Sequence, residues 1–215
     1  MADYHSYIYD TAGRRIVGDF EGAYRDCEDV WPTQHDVHTL KYRTVIHIMK
    51  SLGRNARLAD IGAGYGDFID VLVREGIDAT GYEIAATAVE RGRQRFGLGE
   101  RLQVGDLKAG IRAPDASFDV VTLFGVFWFL LDQLDAAMGE VKRLMKPGAT
   151  FVVSMGMIPN PIGAEIVNSY DDFIGHLRRH FDVREAMLAY LHAELATGKP
   201  LAECSTDMVV YCRAK

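Results

Sequence analysis

Cysteine and long hydrophobic runs are both scarce in this 215-residue sequence. Its three cysteines (Cys27, Cys204 and Cys212) are odd in number and lack a Cys-x-x-Cys spacing. This argues against a disulfide scaffold or a structural zinc site and favours a reducing compartment. No window approaches the roughly 18 uninterrupted apolar residues of a membrane span, and no basic-then-apolar leader follows Met1. We therefore expect a cytoplasmic protein that does not enter a membrane.

Positive charge is sparse as well. The formal net charge is -6, and the densest basic patch is Arg91, Arg93 and Arg95, a spacing typical of a solvated helix face. Because phosphate contacts need clustered Lys and Arg, we expect no nucleic-acid partner. Hydrophobic residues make up 48% of the chain, so it is a globular protein long enough to bury a sizeable core.

One glycine-rich stretch organises the sequence. Residues 57–61 are short and mostly apolar, as in a central parallel strand. Gly62, Gly64 and Gly66 then alternate, and residues 68–75 resume with helical spacing. The stretch therefore predicts a strand, a tight turn and a helix, in which glycine lets a ligand approach the backbone closely.

The residue that leads this turn distinguishes it from a dinucleotide site. The dinucleotide fingerprint is G-x-G-x-x-G, whereas the pattern here is Asp60-x-Gly62-x-Gly64-x-Gly66. A carboxylate would repel a pyrophosphate but suits a ligand with a cationic end. The pattern resembles the first motif of the class I S-adenosylmethionine-dependent methyltransferases, whose cofactor carries a sulfonium and an ammonium. A plain strand–helix connection remains an alternative for the turn alone.

Strands and helices alternate from residue 57 onward, which predicts a doubly wound, mostly parallel sheet covered by helices on both faces. Residues 1–30 show no clean period, and residues 36–52 have a helical pattern. We therefore predict an N-terminal helical cap or lid at residues 1–52 and an α/β domain at residues 53–215. The segment that begins at Phe181 fits either a strand or a helix.

Two further carboxylates follow predicted strands. Ligands of open α/β sheets bind beyond the carboxyl ends of the strands. Glu83 ends the second strand, where its carboxylate can accept both hydroxyl protons of a ribose. Asp106 ends the third, where it can accept from an adenine amine while Leu107 covers the ring. A solvated Glu83 and a helix N-cap role for Asp106 are the alternatives.

Together, these motifs and the strands at residues 118–123 and 146–154 resemble the full motif set of the same methyltransferases. The resemblance covers residues 57–155 and a terminal strand at 207–212. It implies a seven-stranded sheet with an antiparallel last strand and S-adenosyl-L-methionine as cofactor. It also implies cofactor contacts from Asp60, Gly62, Ala63, Gly64, Glu83, Ile84, Asp106, Leu107 and Phe124.

The chain departs from the family after the fourth strand. Many members carry a Glu-His-Leu-like segment there, but residues 124–130 are Phe-Gly-Val-Phe-Trp-Phe-Leu and contain no titratable group. We expect an apolar wall near the methyl group, with Trp128 as a substrate contact and Phe127 and Phe129 as core residues. The missing base also keeps open a non-catalytic, cofactor-binding regulatory subunit.

Candidates for a base and a lid come from the N-terminal part. His35, Asp36 and His38 lie together, and a histidine beside a carboxylate suits general-base catalysis near pH 7. The alternative is a solvated helix start capped by Asp36. Tyr7 and Trp31 are predicted substrate contacts in a lid. No metal is expected.

The sequence thus predicts a methyltransferase that acts on an O or N atom of a small molecule such as a sugar, a glycan intermediate or a secondary metabolite. An NAD-dependent oxidoreductase is a weaker alternative because the fingerprint G-x-G-x-x-G is absent. The acceptor and the oligomeric state stay open, with a homodimer as one option.

Overall fold

The computed structural model describes residues 3–31, 39–157, 162–163, 165–190 and 206–215. The helices are α1 (His5–Ile8), α2 (Phe20–Asp26), α3 (Leu40–Leu52), α4 (Asp67–Arg74), α5 (Ala86–Phe96), α6 (Leu134–Leu144) and α7 (Tyr170–His180). The strands are β1 (Tyr9–Asp10), β2 (Arg15–Ile16), β3 (Arg57–Ile61), β4 (Asp78–Glu83), β5 (Leu102–Val104), β6 (Phe118–Phe124), β7 (Met145–Met157), β8 (Phe181–Tyr190) and β9 (Thr206–Ala214). Two 3₁₀ helices span Gly99–Arg101 and Phe127–Gln133.

Strands β3 to β9 form one seven-stranded sheet in the order β5-β4-β3-β6-β7-β9-β8. The pairs among β3 to β7 are parallel, whereas β9 runs antiparallel to both β7 and β8. This confirms the predicted doubly wound sheet with an antiparallel last strand. The order reverses at β3, which lies between β4 and β6, so the crevice of the fold opens at the carboxyl end of β3.

Two apolar layers hold the helices on the sheet. One contains Met138 of α6 and Phe173 of α7. The other contains Val45 and Met49 of α3 with Leu58 of β3. Helix α3 is therefore part of the main core, because its apolar stripe is buried against the sheet. None of the helices in the described ranges is long and apolar enough to cross a membrane.

The first 31 residues are docked over the glycine turn. A third apolar cluster of the protein joins Ile8 and Tyr24 to Tyr65 and Ala88. The backbone N–H and the hydroxyl of Thr87 both donate to the carboxylate of Glu21. Because these contacts cross from α2 to the start of α5, the N-terminal elements cover the carboxyl ends of β3 and β4.

Strand β8 decides the alternative left open at Phe181. It pairs with β9 along its whole length, with a register shift between Val183 and Glu185. A bulge of this kind inserts one residue and breaks the two-residue alternation of a strand. That is why the sequence after Val183 also matched a helical pattern.

Candidate functional site

The glycine turn between β3 and α4 is built from backbone geometry that side chains would disturb. Gly62 and Gly64 have φ of 77° and 56°, in the left-handed region that favours glycine. A Cβ on Gly62 would lie 2.3 Å from a methyl carbon of Val126. The two glycines thus allow the turn to pass close beneath the loop after β6.

Glu83 ties the end of β4 to this turn. Its side chain is buried, and its two oxygens accept from the N–H groups of Gly64 and Ala85, each at 3.0 Å. Burial raises the pKa of Glu83, while the bonds from the backbone N–H groups oppose that rise. A carboxylate oxygen can accept more than one hydrogen bond, so Glu83 keeps capacity for a ligand.

Asp60, at the carboxyl end of β3, is the second buried carboxylate. It accepts a 2.6 Å hydrogen bond from the Thr122 hydroxyl of β6. Burial is the main cause that raises its pKa from 3.8 to about 7. The Thr122 hydrogen bond and the Lys41 charge oppose this rise, and the nearby Glu83 carboxylate adds to it. An Asp in this setting ionises most readily when a cation occupies the site beside it.

The third acid, Asp106, lies after β5. Its carboxylate accepts from the Lys108 N–H at 2.9 Å, which fixes the turn that carries Leu107. Leu107 is buried, whereas Ile84 is exposed although its side chain is apolar. All three line the same cavity, so an apolar ligand surface between Ile84 and Leu107 would be held beside a carboxylate.

A cavity of about 600 Å³ joins these features. Its wall includes every residue predicted for the cofactor: Asp60, Gly62, Ala63, Gly64, Glu83, Ile84, Asp106, Leu107 and Phe124. Trp31 and Trp128, predicted as substrate contacts, line it too. The structure thus brings together residues from four strand ends and from the N-terminal part.

The wall beyond Phe124 is aromatic. Trp128 donates through Nε1 to the Gly156 carbonyl at 2.8 Å, which fixes its ring. Phe129 packs edge-on against Phe20 at 4.9 Å between centroids and lies 5.9 Å from Trp31, so it lines the cavity as well as packing. Phe127 is fully buried in the core, as expected.

Several aromatic residues of this cavity were not predicted from the sequence, among them Tyr24 and Tyr42. Tyr24 of α2 is buried, and its hydroxyl oxygen would lie 3.2 Å from a Cβ on Gly64. Tyr42 of α3 also lines the cavity and packs edge-on against Phe124 at 5.3 Å. Neither residue belongs to a sequence motif. No signal in the sequence indicates that the short helix with Tyr24 packs next to the glycine turn.

Other predicted site residues lie elsewhere. Tyr7 does not line the cavity, and its hydroxyl donates to Asp26 at 3.0 Å. The proposed base group, His35, Asp36 and His38, lies outside the described residues. In the described ranges, no group of three or more His, Cys, Asp or Glu side chains could hold a metal ion.

Comparison with known proteins finds similarity to methyltransferases. A family model described as a methyltransferase domain matches residues 59–153. A probable S-adenosylmethionine-dependent methyltransferase of Mycolicibacterium smegmatis is 33% identical over 129 residues, which is 59% of this chain and 46% of that protein. The chain is therefore similar to S-adenosylmethionine-dependent methyltransferases.

The chain also resembles a sterol 4-C-methyltransferase of Caenorhabditis elegans, at 30% identity over 107 residues, 47% of this chain and 31% of that protein. The chain therefore spans less than half the length of both curated relatives.

Among solved structures, the PH0226 protein of Pyrococcus horikoshii has a TM-score of 0.64 at 17% identity, over 91% of this chain and 100% of that one. The [4+2]-cyclase SpnF has a TM-score of 0.60, also at 17% identity, over 80% and 79%. These two likenesses show the fold alone.

The cavity fits S-adenosylmethionine, the cofactor of the methyltransferases that the chain resembles. Gly62 and Gly64 line the cavity without a side chain, and three carboxylates line it with them: Asp60, Glu83 and Asp106. Carboxylates suit an ammonium, ribose hydroxyls and an adenine amine, which the cofactor carries together. A pyrophosphate-bearing dinucleotide would instead face the acid of Asp60.

Proposed function

We propose that this chain transfers a methyl group from S-adenosylmethionine to an O or N atom of a small molecule. The observation that carries the proposal is the single cavity that joins the three-carboxylate wall to the aromatic wall at Trp31, Trp128 and Phe129. The first wall is complementary to the cofactor, and the second leaves room for an acceptor beside it.

Each residue of the first wall has a distinct role in this proposal. Asp60 receives the ammonium of the cofactor, Glu83 accepts from the ribose hydroxyls, and Asp106 with Leu107 and Ile84 holds the adenine. S-adenosylmethionine supplies a methyl group that is already activated on a sulfonium. The protein therefore contributes mainly positioning and the exclusion of water, which can supply several kcal/mol.

The N-terminal elements docked beside the site support a small acceptor. The N-terminal elements are held on α5 by Glu21 and Arg91, and Arg91 donates to the carbonyls of Tyr24, Arg25 and Cys27. With a cavity of about 600 Å³, the site suits a sugar, a glycan intermediate or a secondary metabolite better than a macromolecule.

The need for a base depends on the acceptor. An acceptor hydroxyl or ammonium must lose a proton, and His35, Asp36 and His38 remain our proposal for that step. We extend the proposal to a cytoplasmic protein, since three cysteines without a Cys-x-x-Cys spacing suit a reducing compartment.

A second candidate is a cofactor-binding subunit without catalysis. It is favoured by the wall at residues 124–130, where no side chain can take a proton. The fold alone does not decide, since a similar structure is described as a [4+2]-cyclase.

The test combines binding with turnover. Calorimetry with S-adenosylhomocysteine should show micromolar-range binding, and S-adenosylmethionine with a panel of sugars, phenols and amines should yield S-adenosylhomocysteine. Absence of binding would overturn the whole proposal. Binding without product from any acceptor of the panel would favour the regulatory subunit.

A further inference from the structure

An ion pair lies behind the cavity wall and has no part in the roles described above. The ammonium of Lys41, in the first turn of α3, lies 3.0 Å from a carboxylate oxygen of Asp207 on β9. Only 16% of the Lys41 side chain and 17% of that of Asp207 are exposed. Two largely buried charges from positions 166 residues apart are therefore held together beside the sheet.

This pair lies close to the ligand cavity. Nζ of Lys41 lies 5.3 Å from the ring centroid of Phe124 and 5.4 Å from that of Tyr42, and both rings line the cavity. One aromatic layer therefore separates the ammonium from the cavity. Charges act over longer distances through such an apolar layer than through water.

Polar side chains lie on the same sheet face between the pair and Asp60. Thr122 donates to Asp60, and Phe124, two residues further on, is in register with Ser154 of β7. Ser154 is in register with Val209, two residues from Asp207 on β9. In the described ranges, Ser154 Oγ and one oxygen of Asp207 are buried without a hydrogen-bond partner. Thr122, Ser154 and Asp207 thus place polar groups on the sheet face that carries Phe124.

We propose that Lys41 is a positioning residue that favours the ionised form of Asp60, which receives the ammonium of the cofactor, and that Asp207 moderates the charge of Lys41. The identity of the ligand in this statement rests on the proposed function. The charged and polar groups that face Asp60 are Glu83 from β4, Thr122 from β6 and Lys41 from α3. Asp207 faces Lys41 from β9.

The causes of the Asp60 pKa shift have the directions that this proposal requires. Burial and Glu83 raise the pKa of Asp60, whereas the Thr122 hydrogen bond and the Lys41 charge lower it. Removing Lys41 should therefore raise this pKa. Removing the negative charge of Asp207 should lower it, because the Lys41 charge then acts without its counter-ion.

The two replacements should shift the Asp60 pKa in opposite directions. A loss of structural support alone would not produce shifts of opposite sign. The experiment follows the ¹³C carboxyl signal of Asp60 by NMR titration in the cofactor-free protein, assigned with Asp60→Asn. We expect a higher pKa in Lys41→Met, a lower one in Asp207→Asn and a near wild-type value in Lys41→Arg. Shifts of one sign in both Lys41→Met and Asp207→Asn, or no shift in either, would overturn the inference.

A binding measurement links the ionisation to the ligand. In Lys41→Met, the affinity for S-adenosylhomocysteine should fall about three- to tenfold at pH 6.5 and stay near the wild-type value at pH 9. An equal loss at both pH values would contradict the role assigned to Lys41. If the wild-type protein binds none, the proposed function fails, whereas the cofactor-free titration still decides the electrostatic coupling.

Discussion

The carboxylate of Glu83 accepts the N–H of Gly64 at 3.0 Å, so the end of β4 fixes the glycine turn that follows β3. Its other oxygen accepts from Ala85 at the start of the next helix. One buried side chain therefore shapes the turn and also contributes an acceptor to the cavity. Structure and ligand binding are coupled at this position.

Replacement of Glu83 should separate these two contributions. Glu83→Ala leaves the buried N–H groups of Gly64 and Ala85 without their acceptor and should cost about 1–3 kcal/mol of the free energy of unfolding. It should also weaken S-adenosylhomocysteine binding at least tenfold. Glu83→Gln keeps one acceptor oxygen, so it should recover much of the stability but little of the affinity.

Calorimetry and urea unfolding measure the two effects. Glu90→Ala on the exposed face of α5 is a control and should change neither. Unchanged affinity in Glu83→Ala would remove the ribose-binding role.

The positions of Asp60 and Glu83 were predictable from sequence for a simple physical reason. Parallel strands end at one edge of a sheet, so residues that follow apolar segments converge there. The fold followed from the same alternation of strands and helices. Lys41 and Asp207 were not predictable, because nothing local indicates a pair formed across 166 positions of the chain.

Gly62 gives a second prediction. An alanine there would need a φ of 77° and would place its Cβ 2.3 Å from a Val126 methyl carbon. Gly62→Ala should therefore lower the free energy of unfolding by at least about 2 kcal/mol and weaken cofactor binding. Gly139 of α6 offers a matched control, since a Cβ there meets nothing within 4 Å.

The control should move in the opposite direction. Gly139→Ala should stabilise the protein by about 0.5–1 kcal/mol, because alanine loses less backbone freedom in a helix. Urea unfolding of both variants gives the comparison. Equal effects at the two sites would show that the turn at Gly62 tolerates a side chain.

Asp60 predicts a pH dependence. Its pKa is about 7 in the folded protein against an ordinary 3.8, so the folded state holds this proton more tightly than the unfolded chain. The contribution of Asp60 to stability should therefore fall as the pH rises from about 4 to about 7 and stay constant above. A bound ammonium favours the ionised form, so cofactor affinity should rise between pH 6 and pH 8.

Calorimetry in two buffers of different ionisation enthalpy would detect the proton that Asp60 releases on binding. Near pH 6.5 the release should be substantial, and at pH 9 it should vanish. Asp60→Asn should bind more weakly and lose this contribution to the pH dependence. If proton release persists in Asp60→Asn, a group other than Asp60 releases the proton on binding.

One part of the site that the sequence did not predict lies in the first 31 residues. Tyr24 belongs to a seven-residue helix, too short for an apolar period to be recognised. Its position over Gly64 depends on contacts with α5, which are tertiary. A short element that is held by distant residues has no recognisable pattern in the sequence. The glycine turn has one, because its glycines alternate.

These contacts give the last prediction. Arg91 of α5 donates to the carbonyls of Tyr24, Arg25 and Cys27, so it holds the last turn of α2 at the cavity. In Arg91→Ala these carbonyls lose their donor, and Tyr24 should no longer be fixed over the glycine turn. We expect faster hydrogen exchange at residues 20–27 and several-fold weaker binding of S-adenosylhomocysteine.

Arg95→Ala is the matched control. Arg95 lies four residues after Arg91 on the same helix, and its guanidinium lies over the Phe96 ring. It should leave both exchange and affinity close to wild type. Deletion of residues 1–30 extends the test: turnover should be lost if these residues close the site. If Arg91→Ala and Arg95→Ala exchange alike and bind alike, the docked N-terminal elements do not contribute to the cofactor site, and the wall formed by β3, β4 and β5 must suffice.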